Sequence, residues 1–381
     1  MHNLVRSLIG GAALLAAAPA LAQTAPAQAD LNARLELARE VFQLCGQGSY
    51  FERRMLDQAA RLSFEGSAEA ARIKDERYPG EARNALRAAR IEAARGLGCG
   101  EAAGPVIKEG SDWAYLELAS LLLVLQSQVN AKQTDLTPEG HQLYKLGVAQ
   151  LEKAYPGQLQ QISGTALQLA AQRQQARGLA PVEQGIAANL YRDEIDALLA
   201  DLRFQVVMLK AGMQPVLRFD RHDTGSQATG SRLAERIELL PTAAAPAYRQ
   251  QARWRVLGSP RDIFVPGNIA GHAGAMLVRD RSGAMMVMVY GEDARSLPRS
   301  EAAAKLVVKG SALPLTVENV WTASECSGFE ICLRFAPEAD AMLEANTDWQ
   351  VAQLRLTLTN DSRTAIPIEF DRAQWNWARG Q

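Results

Sequence analysis

Two periodicities divide the chain. From residue 30 to 212 apolar side chains recur at helical spacing, and from about Arg253 they recur at every second position. The first stretch predicts helices at about 30–45, 49–63, 67–76, 81–95, 113–125, 137–155, 158–177 and 182–211. Asp30 and Ser67 stand as caps, Pro79-Gly80 and Pro156-Gly157 as breaks, and Thr137-Pro138-Glu139 as a helix start. The run WAYLELASLLLVL (113–125) is apolar almost all round, which predicts the buried centre of a bundle. Its length, Glu117, and the Gln126, Gln128 and Asn130 that follow argue against a membrane span.

The second stretch predicts short strands at 252–257, 262–265, 275–279, 284–290, 304–309, 315–321, 330–335, 349–359 and 365–377. Turns are expected at Ser259-Pro260, Pro266-Gly267, Ser282-Gly283 and 360–362. No helical pattern long enough for crossovers separates them, so the sheets should be antiparallel. The expected fold is an N-terminal α-helical bundle over 30–212 and a C-terminal antiparallel β-sandwich over 251–381. Residues 213–250 read as a linker with a short amphipathic segment, 232–240. The strand AMMVMVY (284–290) is apolar on both faces, which predicts a central strand covered on both sides.

The N-terminus changes the picture of where this happens. Arg6 precedes an apolar run, 8–18, and Ala20-Leu21-Ala22 precedes Gln23, the pattern of a signal peptide (1–22) with an Ala-x-Ala cleavage site. No Cys follows for lipid attachment, and 23–29 reads as a flexible spacer. A periplasmic or secreted destination is expected. Cleavage after Ala22 leaves 40 Lys+Arg against 42 Asp+Glu (one Arg of 41 removed, no acid), which gives no general attraction to nucleic acid. In an oxidising compartment the four cysteines should form two disulfides. Cys45–Cys99 and Cys326–Cys332 are favoured because each pair falls within one predicted domain. There is no Cys-x-x-Cys to mark a redox site.

The remaining chemistry is sparse. Asp220, His222 and Asp223 form a polar cluster at i, i+2 and i+3. Asp223-Thr224-Gly225-Ser226 resembles the catalytic tetrapeptide of aspartic proteases, which implies a water-activating carboxylate at Asp223. That family has apolar residues before the Asp and a second copy of the motif; here Arg221 and His222 stand before it, and there is no second copy. His272 with Met276, Met285, Met286 and Met288 holds soft ligands suited to copper, but strand alternation sends Met285 to the opposite face from Met286 and Met288. No dinucleotide, phosphate-loop or serine-nucleophile motif is present, and no metal or cofactor is expected. Asp193, Glu194, Asp196 and Asp201 read as a solvated helix face.

Five of the six tryptophans lie in the sandwich. Counting by twos from Ile366, Ile368 and Phe370, Trp375 and Trp377 fall on the other face, unless a bulge near 371–373 restores the register. They are the binding candidates, for a domain seam, a glycan or a partner protein. The reading is an exported envelope protein that binds another protein or an envelope polymer without catalysis. The alternatives are a hydrolase with its site near 220–231, and a copper-handling protein using 272–288.

Overall fold

The computed structural model describes residues 28–65, 68–131, 136–176, 192–220, 234–263, 273–280, 282–297, 302–319, 326–336, 338–346, 348–358 and 365–380. The expected signal peptide, Ser67, His222, Asp223, the Gly/Ser-rich stretch to Ser231, and His272 lie outside the described residues. Among the described residues one compact unit ends at Leu202 and a second begins at Arg203. The first is helical and the second is built on antiparallel sheets, as the two periodicities predict.

The helical unit contains α1 (Gln28–Cys45), α2 (Tyr50–Glu65), α3 (Ala68–Lys74), α4 (Pro79–Leu97), α5 (Ala103–Asn130), α6 (Pro138–Ala154), α7 (Leu159–Ala176) and the first half of α8 (Arg192–Ala211). Local chemistry sets several starts. Ser49 and Glu52 satisfy each other's backbone N–H groups ahead of α2, at 2.7 and 3.1 Å, and the Thr137 hydroxyl accepts from Gly140 N at 3.1 Å at the start of α6. The long α5 packs against α1, α2, α6 and α7 and is the centre of the unit. Gly110 of α5 permits the closest approach: a Cβ there would stand 2.9 Å from the Ala38 Cβ of α1. Glu117, 0% exposed, sits inside the bundle and pairs with Arg173 of α7 through both of its oxygens, at 2.9 and 2.6 Å. Cys45 and Cys99 are bonded, tying the end of α1 to the end of α4. No described helix is long and apolar enough to cross a membrane.

The supposed solvated face of α8 is half correct. Asp193 and Asp196 are exposed. Glu194 and Asp201 are buried, and Arg61 and Arg54 of α2 reach them at 3.2 Å. Both acids lie on the helix face that carries Ile195, Leu198 and Leu202, so they are buried with that face and need cationic partners.

The second unit starts within α8. Residues 213–250, expected to be a linker, carry β1 (Met213–Asp220) and β2 (Ala234–Pro241), a long antiparallel hairpin that begins the larger sheet. The seven strands run β1-β2-β3-β4-β5-β9-β8, with β3 (Trp254–Ile263), β4 (Ala273–Arg279), β5 (Met285–Tyr290), β8 (Val317–Asn319) and β9 (Ile331–Phe335). The smaller sheet runs β11-β10-β6-β7, with β6 (Ala303–Val308), β7 (Ser311–Leu315), β10 (Val351–Thr357) and β11 (Ala365–Asp371). Leu277, Val287 and Leu333 from the larger sheet and Leu306, Leu354 and Ile368 from the smaller one share a single core, which makes the pair a sandwich. The chain crosses between the sheets after β5, β7 and β9, and the crossing from β7 to β8 takes a single residue, Thr316.

The turn expected at Ser259-Pro260 is instead an irregularity within β3, where the register shifts between Leu257 and Arg261. A proline cannot donate to the ladder, so the strand bulges there rather than ending. Gly258, at φ +74°, lets the bulge approach β11: a Cβ would fall 2.5 Å from the Glu369 carbonyl. Pro241 closes β2, and three further strand prolines lie at the sheet borders. Pro215, Pro314 and Pro367 lie in β1, β7 and β11, each at the end of a strand order, and the fourth border, β8, has three residues.

Every residue of β5 is buried. Met285, Val287 and Val289 enter the sandwich core, while Tyr290 on the other face meets Phe204 from the second half of α8, ring centroids 6.3 Å apart. Arg249, 1% exposed, fixes the end of this helix. Its guanidinium donates to the carbonyls of Ala211 and Ser327, the latter at 2.8 Å, and lies over the rings of Trp254 and Phe329. Ser327 follows Cys326, which is bonded to Cys332.

Candidate functional site

The last strand does not extend to Trp377. It ends at Asp371, and α10 (Arg372–Arg379) begins there. Asp371 accepts from Gln374 N at 2.5 Å, and the Gln374 amide oxygen accepts from Asp371 N at 2.9 Å, a reciprocal cap. The parity break at Trp375 and Trp377 is thus a change of period from two to 3.6, and no bulge is involved. Trp349, expected within the preceding strand (349–359), instead lies just before β10, which begins at Val351. α9 (Glu338–Ala345) was not expected from the sequence.

The two tryptophans have different environments. Trp375 is 3% exposed and belongs to the core, edge-on to Trp349 with centroids 5.9 Å apart, and its indole N–H donates to Asp340 at 3.1 Å. Its ring is therefore not open to a ligand. Trp377 is half-buried on the rim of the core, and the Arg255 guanidinium lies 5.1 Å from its ring centre.

Two arginines that carry no motif in the sequence hold this helix in place. Arg255 of β3 and Arg279 of β4 are direct cross-strand partners, on the face of the sheet that carries Leu257 and Leu277. Arg255 donates to the Trp377 carbonyl at 2.6 Å, and Arg279 to the Ala378 carbonyl at 3.3 Å. These carbonyls end α10, where a helix leaves acceptors unsatisfied and favours positive charge. Arg279 also pairs with Asp340 at 2.9 Å, the carboxylate that receives the Trp375 indole. Arg255 lies 3.8 Å from Glu238, its cross-strand partner on β2, and Arg253 reaches the same carboxylate at 3.5 Å. On the opposite side Arg379 stacks on Trp375 and pairs with Glu344. The result is a rigid surface of one half-open indole, a cation on its face, and flanking carboxylates. The available signal was the alternation itself, which places Arg255 and Arg279 on the core face and so demands buried acceptors.

The other candidates do not converge among the described residues. Asp220 ends β1, paired in register with Ala234. Met276 and Met288 are direct neighbours on β4 and β5, Met286 lies opposite Val278, and Met285 faces the sandwich core. No group of three or more His, Cys, Asp or Glu side chains able to hold a metal ion is found among the described residues.

The perturbed buried groups stand within the helical unit, while exposed Asp348 of the second unit is lowered by its pairing with Lys309. Burial pushes the Asp201 carboxyl up to about 6, against the opposing pull of Arg54, and Asp57 adds to the rise. For Arg54 the balance is reversed: the Asp201 charge outweighs burial, and its pKa rises. A carboxyl that binds its proton more tightly folded than unfolded stabilises the fold most at low pH. That contribution should fall as pH rises from about 4 to 6. Urea midpoints of the wild type should show this decline, and Asp201→Asn should flatten it; an unchanged pH profile in the variant would assign the slope elsewhere. Tyr155 is raised by burial and by its 2.6 Å hydrogen bond to Asp112, and Tyr115 is pushed up to about 12 by burial and by Glu52. Both hydroxyls serve as helix-to-helix donors.

Comparison with protein-family models, with curated proteins and with solved structures gives no match.

Proposed function

We propose that the chain is an exported envelope protein, cleaved near Ala22–Gln23, that binds another protein or an envelope polymer without catalysing a reaction on it. The observation that carries this reading is the Arg255–Trp377 surface. An indole and a guanidinium, each anchored by its own helix or strand, offer apolar area and directed charge with little entropy left to lose, the profile of an interface anchor. Export is supported by the pairing of all four cysteines, which fits an oxidising compartment. Asp201, Arg54, Tyr115 and Tyr155, whose pKa values are shifted, are each engaged in helix packing.

The test uses Trp377→Ala, because Trp375→Ala would empty the core. Full-length protein and variant are each immobilised and exposed to envelope extract, and recovered proteins and glycans are quantified. A species retained by the wild type should fall at least tenfold with Trp377→Ala at unchanged thermal stability. Equal recovery by both would remove Trp377 as the anchor.

A further inference from the structure

The two disulfides are built into the fold very differently. Cys326 and Cys332 are 1% and 0% exposed, and Arg249 holds the Ser327 carbonyl between them. Cys99 is exposed and Cys45 is half-buried. The elements they join differ as well. Of the described side chains of α4 only Ile91 and Ala94 are buried, and the helix packs on α1 and on short α3. Its attachment near the disulfide is a small cluster of Val41, Ala94 and Ala103, bordered by Cys45 and Leu97. By contrast α5, the next helix, buries side chains along most of its length.

We propose that Cys45–Cys99 is a thiol–disulfide exchange site for a dithiol reductant, and that its reduction frees the arm formed by α3 and α4 from α1 while Cys326–Cys332 stays closed. Access decides which bond reacts, since the attacking thiolate must reach a sulfur along the S–S axis. The first thiolate of the dithiol attacks Cys99 Sγ, and the S–S pair leaves on Cys45 Sγ, which takes a proton from water. Cys45 Sγ already lies 3.6 Å from the Gly98 carbonyl, within reach of an S–H donor. The second thiol of the reductant, as thiolate, then attacks its own partner in the mixed disulfide and expels Cys99, which takes the second proton. Two electrons pass to the protein, and the reductant leaves as a disulfide. With the covalent tie gone, an arm resting on three buried side chains among those described, Ile73, Ile91 and Ala94, has little to hold it, so it opens locally while the central helices stay packed.

The test is a dithiothreitol titration of the native full chain, followed by alkylation and peptide mass analysis. Cys45 and Cys99 should be labelled at reductant concentrations at least tenfold below those that open Cys326–Cys332. Under those conditions amide hydrogen exchange in α4 should accelerate at least tenfold, with α5 unchanged. Simultaneous opening of both disulfides, or unchanged protection in α4, would overturn the proposal. The Cys45→Ser/Cys99→Ser variant gives a second reading. Protection lost from α3 and α4 alone supports a releasable arm, and protection lost throughout the helical unit shows instead that the bond holds the whole bundle.

Discussion

Replacing Arg249 with alanine is expected to destabilise the sheet unit by about 3–5 kcal/mol. Each of the two buried carbonyls it serves, Ala211 and Ser327, would be left without its donor, at roughly 1–3 kcal/mol apiece. Loss of the cation from the Trp254 and Phe329 rings adds up to about 2 kcal/mol more, offset in part by relief of a buried charge. The end of α8 and the Cys326–Cys332 hairpin would then be untied from each other. Arg249→Lys should recover little, because an ammonium cannot serve two carbonyls as a planar fork while stacking on two rings. Urea unfolding followed by tryptophan fluorescence would check both variants. A loss below about 1 kcal/mol for Arg249→Ala would show that the guanidinium is incidental to packing.

The second large effect is expected at Glu117 and Arg173. Glu117→Leu leaves Arg173 without its carboxylate at a site 11% exposed, and should cost about 3–5 kcal/mol. The double variant Glu117→Leu/Arg173→Leu should return to within about 1 kcal/mol of the wild type or exceed it, because two desolvated charges are exchanged for apolar packing. A double-mutant cycle in urea measures this directly. Additive single effects, with no recovery in the double variant, would mean that the two charges do not interact across α5 and α7.

The class and order of most elements were legible because burial leaves a periodic record. The helices from Asp30 onward, the double-faced strand β5 and the cysteine pairing all follow from which positions must leave water. The misreadings came where two signals overlapped. Met213–Asp220 and Ala234–Pro241 read as a linker because polar residues and prolines dilute their alternation, as they do in any strand near a sheet border. The two-residue period predicts the wrong face for Trp375 and Trp377 because the strand ends at Asp371. The sequence Asp371-Arg372-Ala373-Gln374 is itself a cap signature, and would have stopped the strand there. At the candidate site the half-open Trp377 was legible as an aromatic surplus. Its companion Arg255 was not, because a cation on a core face reveals its partner only once the end of α10 is seen beneath it. The buried acids of α8 illustrate the same limit, since sequence distance conceals that Arg54 and Arg61 stand opposite them.

The border prolines have a consequence for how the sandwich meets other molecules. Pro215, Pro314 and Pro367 interrupt the rows of donors along β1, β7 and β11, and β8 is too short to template a neighbour. Among the described residues a visiting segment therefore finds no long uninterrupted border strand to zip onto. The same holds for a second copy of the chain caught half-folded beside the first: at each described border a proline or a three-residue strand breaks the run that edge-to-edge pairing would need.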